Sequence, residues 1–272
     1  MSRKWILLKL VLSAAAIVLW VLASVLAPYI SPHPPTVMNV PQRLVFSSPE
    51  YLLGTDHFGR DILSRILWGA RPTLTIAMGV VIVASIAGTL IGLAAGYFRG
   101  WYELAAMRAV DVLMCFPPII LAMVVIALVG GGQATLILVI GLVYSPQFAR
   151  LIFGATLQQV GQDYVLAARA LGAGAWRVML MHVLRNLAAP IIVQATLTAA
   201  FAIRIESGLS FLGLGVSPPT PSWGLMLAES RGYLQHNFGY MLWPALAIAS
   251  SILAFNSMGD ALRDWFDPRS RS

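Results

Sequence analysis

The sequence predicts an all-α membrane protein with six transmembrane helices. Three observations predict it. Of 272 residues, 58% are hydrophobic and only 11% charged, whereas soluble globular domains carry about 25% charged residues. The apolar residues fall in uncharged runs long enough to span a bilayer, which takes about 20 residues. The basic residues sit mostly between those runs. In a soluble protein the net charge of +7 would suggest nucleic acid. Here positive-inside topology accounts for it, so the partner is a lipid bilayer and no nucleic acid is expected. The single cysteine, Cys115, lies in an apolar stretch. Neither an intrachain disulfide nor a cysteine metal cluster can form, and Cys115 reads as a small buried hydrophobe.

The elements follow in chain order. Arg3, Lys4 and Lys9 precede an apolar run, a pattern shared with signal peptides. The uncharged stretch from Leu10 to Ile30 is long enough to span, and further spans follow, so it reads as an uncleaved first helix. Ser31 to Arg71 is a long loop that starts as extended chain at Pro32, Pro34 and Pro35. It ends with Asp61 to Ala70 as a short amphipathic helix at the interface. Pro72 to Phe98 is the second span. Val112 to Ala149 is too long for one span, and Gly130-Gly131-Gly132-Gln133 divides it into two. Phe116-Pro117-Pro118, beside Asp111, bends the third span near its start. Leu187 to Ile203 is the fifth span and Tyr240 to Gly259 the sixth. The chain thus divides into residues 1–71, a first helix with its external loop, and 72–272, a five-helix core with a long loop at 154–186.

Lysine and arginine set the orientation. With the N-terminus inside, Arg3, Lys4, Lys9, Arg99, Arg108, Arg150, Arg169, Arg177, Arg185, Arg263, Arg269 and Arg271 fall on the cytoplasmic side. Arg43, Arg60, Arg65, Arg71 and Arg231 fall outside. The bias places both termini in the cytoplasm.

The inner loop is the most informative segment. In Asp163-Tyr164-Val165-Leu166-Ala167-Ala168-Arg169-Ala170-Leu171-Gly172, Asp163 suits an N-cap and the alanines favour helix. Arg169 lies where a helix dipole favours a cation, and Gly172 can close the helix in the left-handed conformation. Gly174 opens a second helix from Ala175 to about Leu187. A stub of about two turns is marginal alone in water and becomes firm only when docked, on its own bundle or on a partner.

This segment resembles the cytoplasmic signature loop of permease subunits in bacterial ATP-binding-cassette importers. Ala167, Ala168, Gly172 and Leu184 fall on that signature. Leu166 stands where the family has Glu, His182 where it has Ile, and Arg185 where it has Pro. Leu53 to Arg65, Ala94-Gly96-Tyr97, Leu209 to Val216 with Pro218 to Gly224, Ala254-Phe255-Asn256, Gly259-Asp260, Leu262-Arg263-Asp264 and Asp267-Pro268 narrow the resemblance to the dipeptide, oligopeptide and nickel permeases. Within these the chain is similar to the six-helix C-type subunit.

The resemblance implies a type I importer fold and a non-catalytic subunit. It also implies partners: a homologous second permease, two ATPase subunits that bind ATP and Mg, and an extracytoplasmic solute-binding protein. In this reading Tyr164, Ala167, Ala168, Arg169, Leu171 and Gly172 form a coupling helix received by an ATPase. The location would be the bacterial inner membrane and the cargo di- or oligopeptides, with nickel, opines or another small solute as the rival within the class. The residues themselves agree that energy comes from elsewhere. Lys4 and Lys9 are the only lysines, and neither follows a phosphate-binding loop.

The remaining constellations say less. His33, His57, His182 and His236 lack metal-ligand spacing and read as exposed polar side chains. His33 and His57 share the outer loop, where a nickel role would fall. No bound cofactor is expected. Arg204 and Glu206 are charges in an apolar span, two residues apart and so on different sides of a helix. Taking the span from Leu187, Glu206 would lie about 28 Å along it, near the outer boundary. The pair forms a candidate substrate path, with Arg204 facing the outer vestibule and touching a peptide carboxylate. Interfacial snorkelling accounts for the charges equally well. An ion-coupled carrier would also explain six spans, but it calls for ionisable residues at mid-membrane and leaves the inner loop unexplained.

Overall fold

In the computed structural model, which describes residues 3–266, the chain is a bundle of long helices. They are α1 (Arg3–Ile30), α2 (Ile62–Phe98), α3 (Gly100–Met114), α4 (Pro118–Val129), α5 (Gln133–Val160), α6 (Asp163–Ala170), α7 (Ala188–Phe211), α8 (Trp223–Ser230) and α9 (Phe238–Phe266). Five are long and apolar enough to cross a membrane, and α3 with α4 makes a sixth, broken span. Asp267-Pro268, Arg269 and Arg271 lie outside the described residues.

α2 differs from the sequence expectation. Asp61 to Ala70 is not a separate interfacial helix. The Asp61 carboxylate accepts from the Ser64 backbone N–H at 2.9 Å and caps a helix that runs on through Pro72 to Phe98. Its 37 residues measure about 55 Å, well beyond the about 30 Å of hydrocarbon, so it is longer than a span requires. Glycine lets it approach α5 closely. Gly88, Gly92 and Gly96 recur every fourth residue on one face. A Cβ at Gly88 or Gly92 would collide with α5 backbone at Ser145 or Ala149, and one at Gly96 would lie 2.7 Å from Thr156. In lipid, where apolar helices gain nothing by leaving solvent, such close backbone packing is what holds helices together.

The largest core gathers α2, α4, α5, α7, α8 and α9 around Ile76, Val80, Phe148, Ile203, Trp223 and Tyr240. Trp223 is fully buried and donates from Nε1 to the Ile66 carbonyl at 2.9 Å, pinning α8 to α2. α1 leans on α9, with the Trp20 Nε1 donating to Ser250 Oγ at 3.2 Å, and exposes much of its apolar surface.

Two further expectations change. Phe116-Pro117-Pro118 does not merely bend the third span. Pro118 starts a new helix after Pro117, and α3 and α4 meet at 89°. Cys115, at this break, is exposed rather than buried.

Candidate functional site

The inner stub is α6. Asp163 is its first helical residue rather than its N-cap. Gln162 occupies the cap in extended conformation, and no side chain bonds the free amides. Asp163 still supports the helix as an acid in its first turn. The other end matches expectation. Gly172 has φ +81°, its N–H donates to the Arg169 carbonyl at 3.0 Å, and the Ala173 N–H donates to Ala168 at 3.0 Å. These two bonds are the paired closure of a Schellman motif, which needs a left-handed residue at this position.

α6 is docked on its own bundle by one side. Val165 is fully buried with Leu93, Ile152, Val178, Met179, Val183 and Leu187, and Ala168 packs beside it. Arg169 lays its guanidinium 4.6 Å from the Tyr97 ring centroid. The Tyr164 hydroxyl donates to Gln159 and accepts from Asn186 Nδ2 at 3.1 Å. Of the predicted contact residues, Ala168 therefore turns inward, while Tyr164, Ala167, Leu171 and Gly172 stay exposed on the stub and its closing turn. Leu171 is 88% exposed and Leu166, in place of the family's Glu, 50%. Beyond Gly174 the expected single helix is divided: Ala175–Arg177, a π-helical stretch Val178–Val183, then Leu184–Asn186. Trp176 and Met181 expose their apolar side chains on it.

Arg204 and Glu206 point in different directions, as their spacing requires. Arg204 is exposed on the outer surface of the bundle. Its guanidinium lies 4.6 Å from the Phe201 ring centroid and donates to the Tyr144 hydroxyl. Tyr144 stands eleven residues from the start of α5, about 16 Å below the Gly130–Gly132 turn. On α7 itself Arg204 stands seven residues before the end at Phe211, about 10 Å, within a helix long and apolar enough to cross a membrane. A 360 Å³ pocket opens beside it, lined by Pro118, Ile119, Tyr144, Gln147, Phe201 and Ile205.

Glu206 is fully buried and faces away from that pocket. Ser210 Oγ donates to its Oε1 at 2.8 Å and Ser207 Oγ to its Oε2 at 3.4 Å, with Thr73 and Ser222 against the same carboxyl. The following Gly-rich segment closes over this cluster. A Cβ at Gly215 would overlap Ser210, and one at Gly224 would sit 2.5 Å from the Ser207 carbonyl oxygen. Glu206 is thus enclosed within this chain, where its partners tie α7 to α2 and to the segment before α8.

A second charged group was not foreseen as a unit. Asp56 accepts from the backbone N–H of Phe58 and Arg60 at 2.8 and 2.9 Å and from Arg60 Nε at 2.5 Å. Arg60 and Arg65 also both reach Glu229 Oε2, at 3.0 and 2.7 Å, and the Tyr240 hydroxyl donates to it at 3.2 Å. His57 Nδ1 lies 3.0 Å from the Tyr240 hydroxyl, and its ring stacks on Tyr233. Burial pushes the His57 pKa below its usual value although Asp56 and Glu229 oppose this. Burial also acts against the Arg60 charge, but Asp56 and Glu229 outweigh it and hold its pKa up. His33 stacks on Tyr51. Neither histidine is the exposed polar side chain expected. Asp56, His57 and Glu229 bring ligand atoms within 4.8 Å of one another. Two arginines already neutralise both carboxylates, so the group suits ion pairing and not a metal ion. The sequence signal was the run Asp56-His57-Phe58-Gly59-Arg60-Asp61; Glu229 had none, being 169 residues from Arg60.

Comparison with known proteins adds a family. Residues 88–272 match the model of the binding-protein-dependent transport system inner membrane component. The chain is 40% identical over 258 residues to the di/tripeptide transport system permease protein DppC of Pseudomonas aeruginosa, covering 93% of this chain and 85% of that protein. It is 40% identical over 254 residues to the dipeptide transport system permease protein DppC of Haemophilus influenzae, covering 91% and 86%. It is 35% identical over 260 residues to the probable D,D-dipeptide transport system permease protein DdpC of Escherichia coli, covering 96% and 87%.

Proposed function

We propose, since the chain belongs to the family of binding-protein-dependent transport system inner membrane components, that it is a permease subunit of an ATP-driven importer of di- or oligopeptides. It is a multi-pass inner-membrane protein. In this reading it forms half of the translocation path and a homologous second permease forms the other half. Two separate ATPases bind ATP and Mg beneath it, and a solute-binding protein delivers the peptide from outside. Both termini face the cytoplasm, and this chain carries out no catalysis of its own.

The observation that carries this reading is α6. A helix of eight residues is too short to be stable unsupported. It is fixed to the bundle by Val165 and closed at Gly172, yet it leaves Tyr164, Leu166, Ala167 and Leu171 bare. A rigid stub with an apolar outer side is what a coupling element needs, because it must hand a partner's movement to the membrane helices without yielding. Its route inward is short: Val165 touches the ends of α2 and α5 and the π-helical stretch that leads to α7.

Gly172→Val tests this. No atom lies within 4 Å of a Cβ there, so the cost is confined to the left-handed backbone, about 1–2 kcal/mol. The variant is expected to insert normally and to lose most peptide-stimulated ATP hydrolysis and uptake. Wild-type uptake by Gly172→Val would remove the coupling role of α6. Copurification in detergent tests the class: the chain should bring a second permease and ATPases, whereas an ion-coupled carrier would come alone.

A further inference from the structure

Arg204 has no anionic partner among the described residues, and its surroundings indicate what it awaits. Among the described residues no carboxylate lies within ion-pair distance of it, although Glu206 is two residues away and turned to Ser207 and Ser210. A cation without an anionic partner on a membrane-crossing helix is costly to leave against hydrocarbon, so this side of α7 is suited to face protein or a water-filled path. The guanidinium is also not free to wander. Phe201 supports one face of it and Tyr144, itself 3% exposed, takes one of its donors. A planar fork held in this way keeps its remaining N–H groups directed into the adjoining space.

That space is the 360 Å³ pocket. Its polar groups besides Arg204 are the Tyr144 hydroxyl and the Gln147 amide, both able to donate, and its walls are Pro118, Ile119, Phe201 and Ile205. No acid lines it. The break at Pro117-Pro118 makes the pocket: α4 starts there, so the wall stops at Pro118 instead of continuing as α3. The starting end of α4 adds a field of the same positive sign.

We propose that this pocket is an intramembrane subsite for the free carboxylate of the cargo, with Arg204 as its charge partner and Tyr144 and Gln147 as positioning donors. This rests on the peptide-import reading above. It deepens that reading by making the permease, and not the delivering protein alone, select cargo ending in a carboxylate. An acidic residue of the second permease is the competing occupant. The pocket volume and the second and third donors favour a small ligand over a single side chain, which would need only the guanidinium.

The test is uptake into proteoliposomes holding the complete importer at saturating binding protein, with a dipeptide and its C-terminal amide as cargoes. Arg204→Gln should lower dipeptide uptake at least tenfold while the subunits still copurify, and Arg204→Lys, which keeps the charge but not the planar fork, should restore only part of it. Tyr144→Phe, which keeps the ring, should lower it about threefold. The preference for carboxylate over amide should shrink in Arg204→Gln. An unchanged dipeptide rate, or equal slowing of both cargoes, overturns the subsite. Loss of the second permease on purification from Arg204→Gln also overturns it, in favour of an interface ion pair. Wild-type liposomes that import neither cargo instead refute the peptide-import reading itself.

Discussion

Glu229 serves two arginines at once, and both are almost withdrawn from solvent. Glu229→Gln would leave Arg60 and Arg65 with Asp56 as their shared counter-ion. Breaking a buried pair from one side typically costs about 3–5 kcal/mol, so the purified complex should melt clearly lower, read as its unfolding midpoint in detergent. His57 contributes a pH dependence. Its folded-state pKa lies below the unfolded value, so the unfolded segment binds the proton more readily. Its contribution is complete above the ordinary histidine value of about 6.5 and declines as pH falls below it. Amide protection factors across residues 37–61, exchange rates corrected for the intrinsic rate at each pH, should therefore fall between pH 7 and 5, and His57→Gln should flatten that fall. Little of this was legible in the sequence. Arg60 and Arg65 counted there as outside charges working against the topology. The structure buries them in ion pairs whose second acid lies 164 residues from Arg65.

At the level of elements, the spans were legible because lipid demands long apolar helices, and the Gly130–Gly132 break fell where expected. Three things escaped. Asp61 to Ala70 joined α2 because a capped helix running on through Pro72 satisfies more backbone than a separate stub would. The double proline broke its span outright. Asp163 missed the cap by one residue, a shift that composition does not reveal. In the candidate site, Gly172 was legible from its residue type alone, whereas the inward turn of Ala168 required the packing around Val165. The glycine stripe on α2 makes its own prediction. Gly92→Val places a Cβ against the Ala149 carbonyl oxygen, which is backbone and cannot swing away. The resulting overpacking should cost about 1–3 kcal/mol and lower the yield of folded protein from membranes, while the same change at exposed Gly232, with nothing within 4 Å, should not.

Seen as a whole, the molecule is asymmetric in what it leaves uncovered. α1 shows apolar side chains suited to lipid, such as Val11, Leu12 and Leu19. The side bearing Arg204 shows a charge beside a mostly apolar pocket that carries two further donors, Tyr144 and Gln147, a mixture poorly suited to lipid. The end that the proposed topology puts in the cytoplasm shows Leu171, Trp176 and Met181, large apolar groups left exposed. Three surfaces thus call for three kinds of neighbour, and the proposed assembly supplies one to each.

The buried outer ion pairs also bear on the order of synthesis. In the proposed topology Arg60 is carried across the membrane with the first loop, but Glu229 follows it by 169 residues. At 5–20 residues per second, that is a wait of roughly ten to thirty seconds. During that interval Asp56 is the one acid of this ion-pair group already made. The outer segment is therefore translocated early and completed late, when the last quarter of the chain arrives to close it.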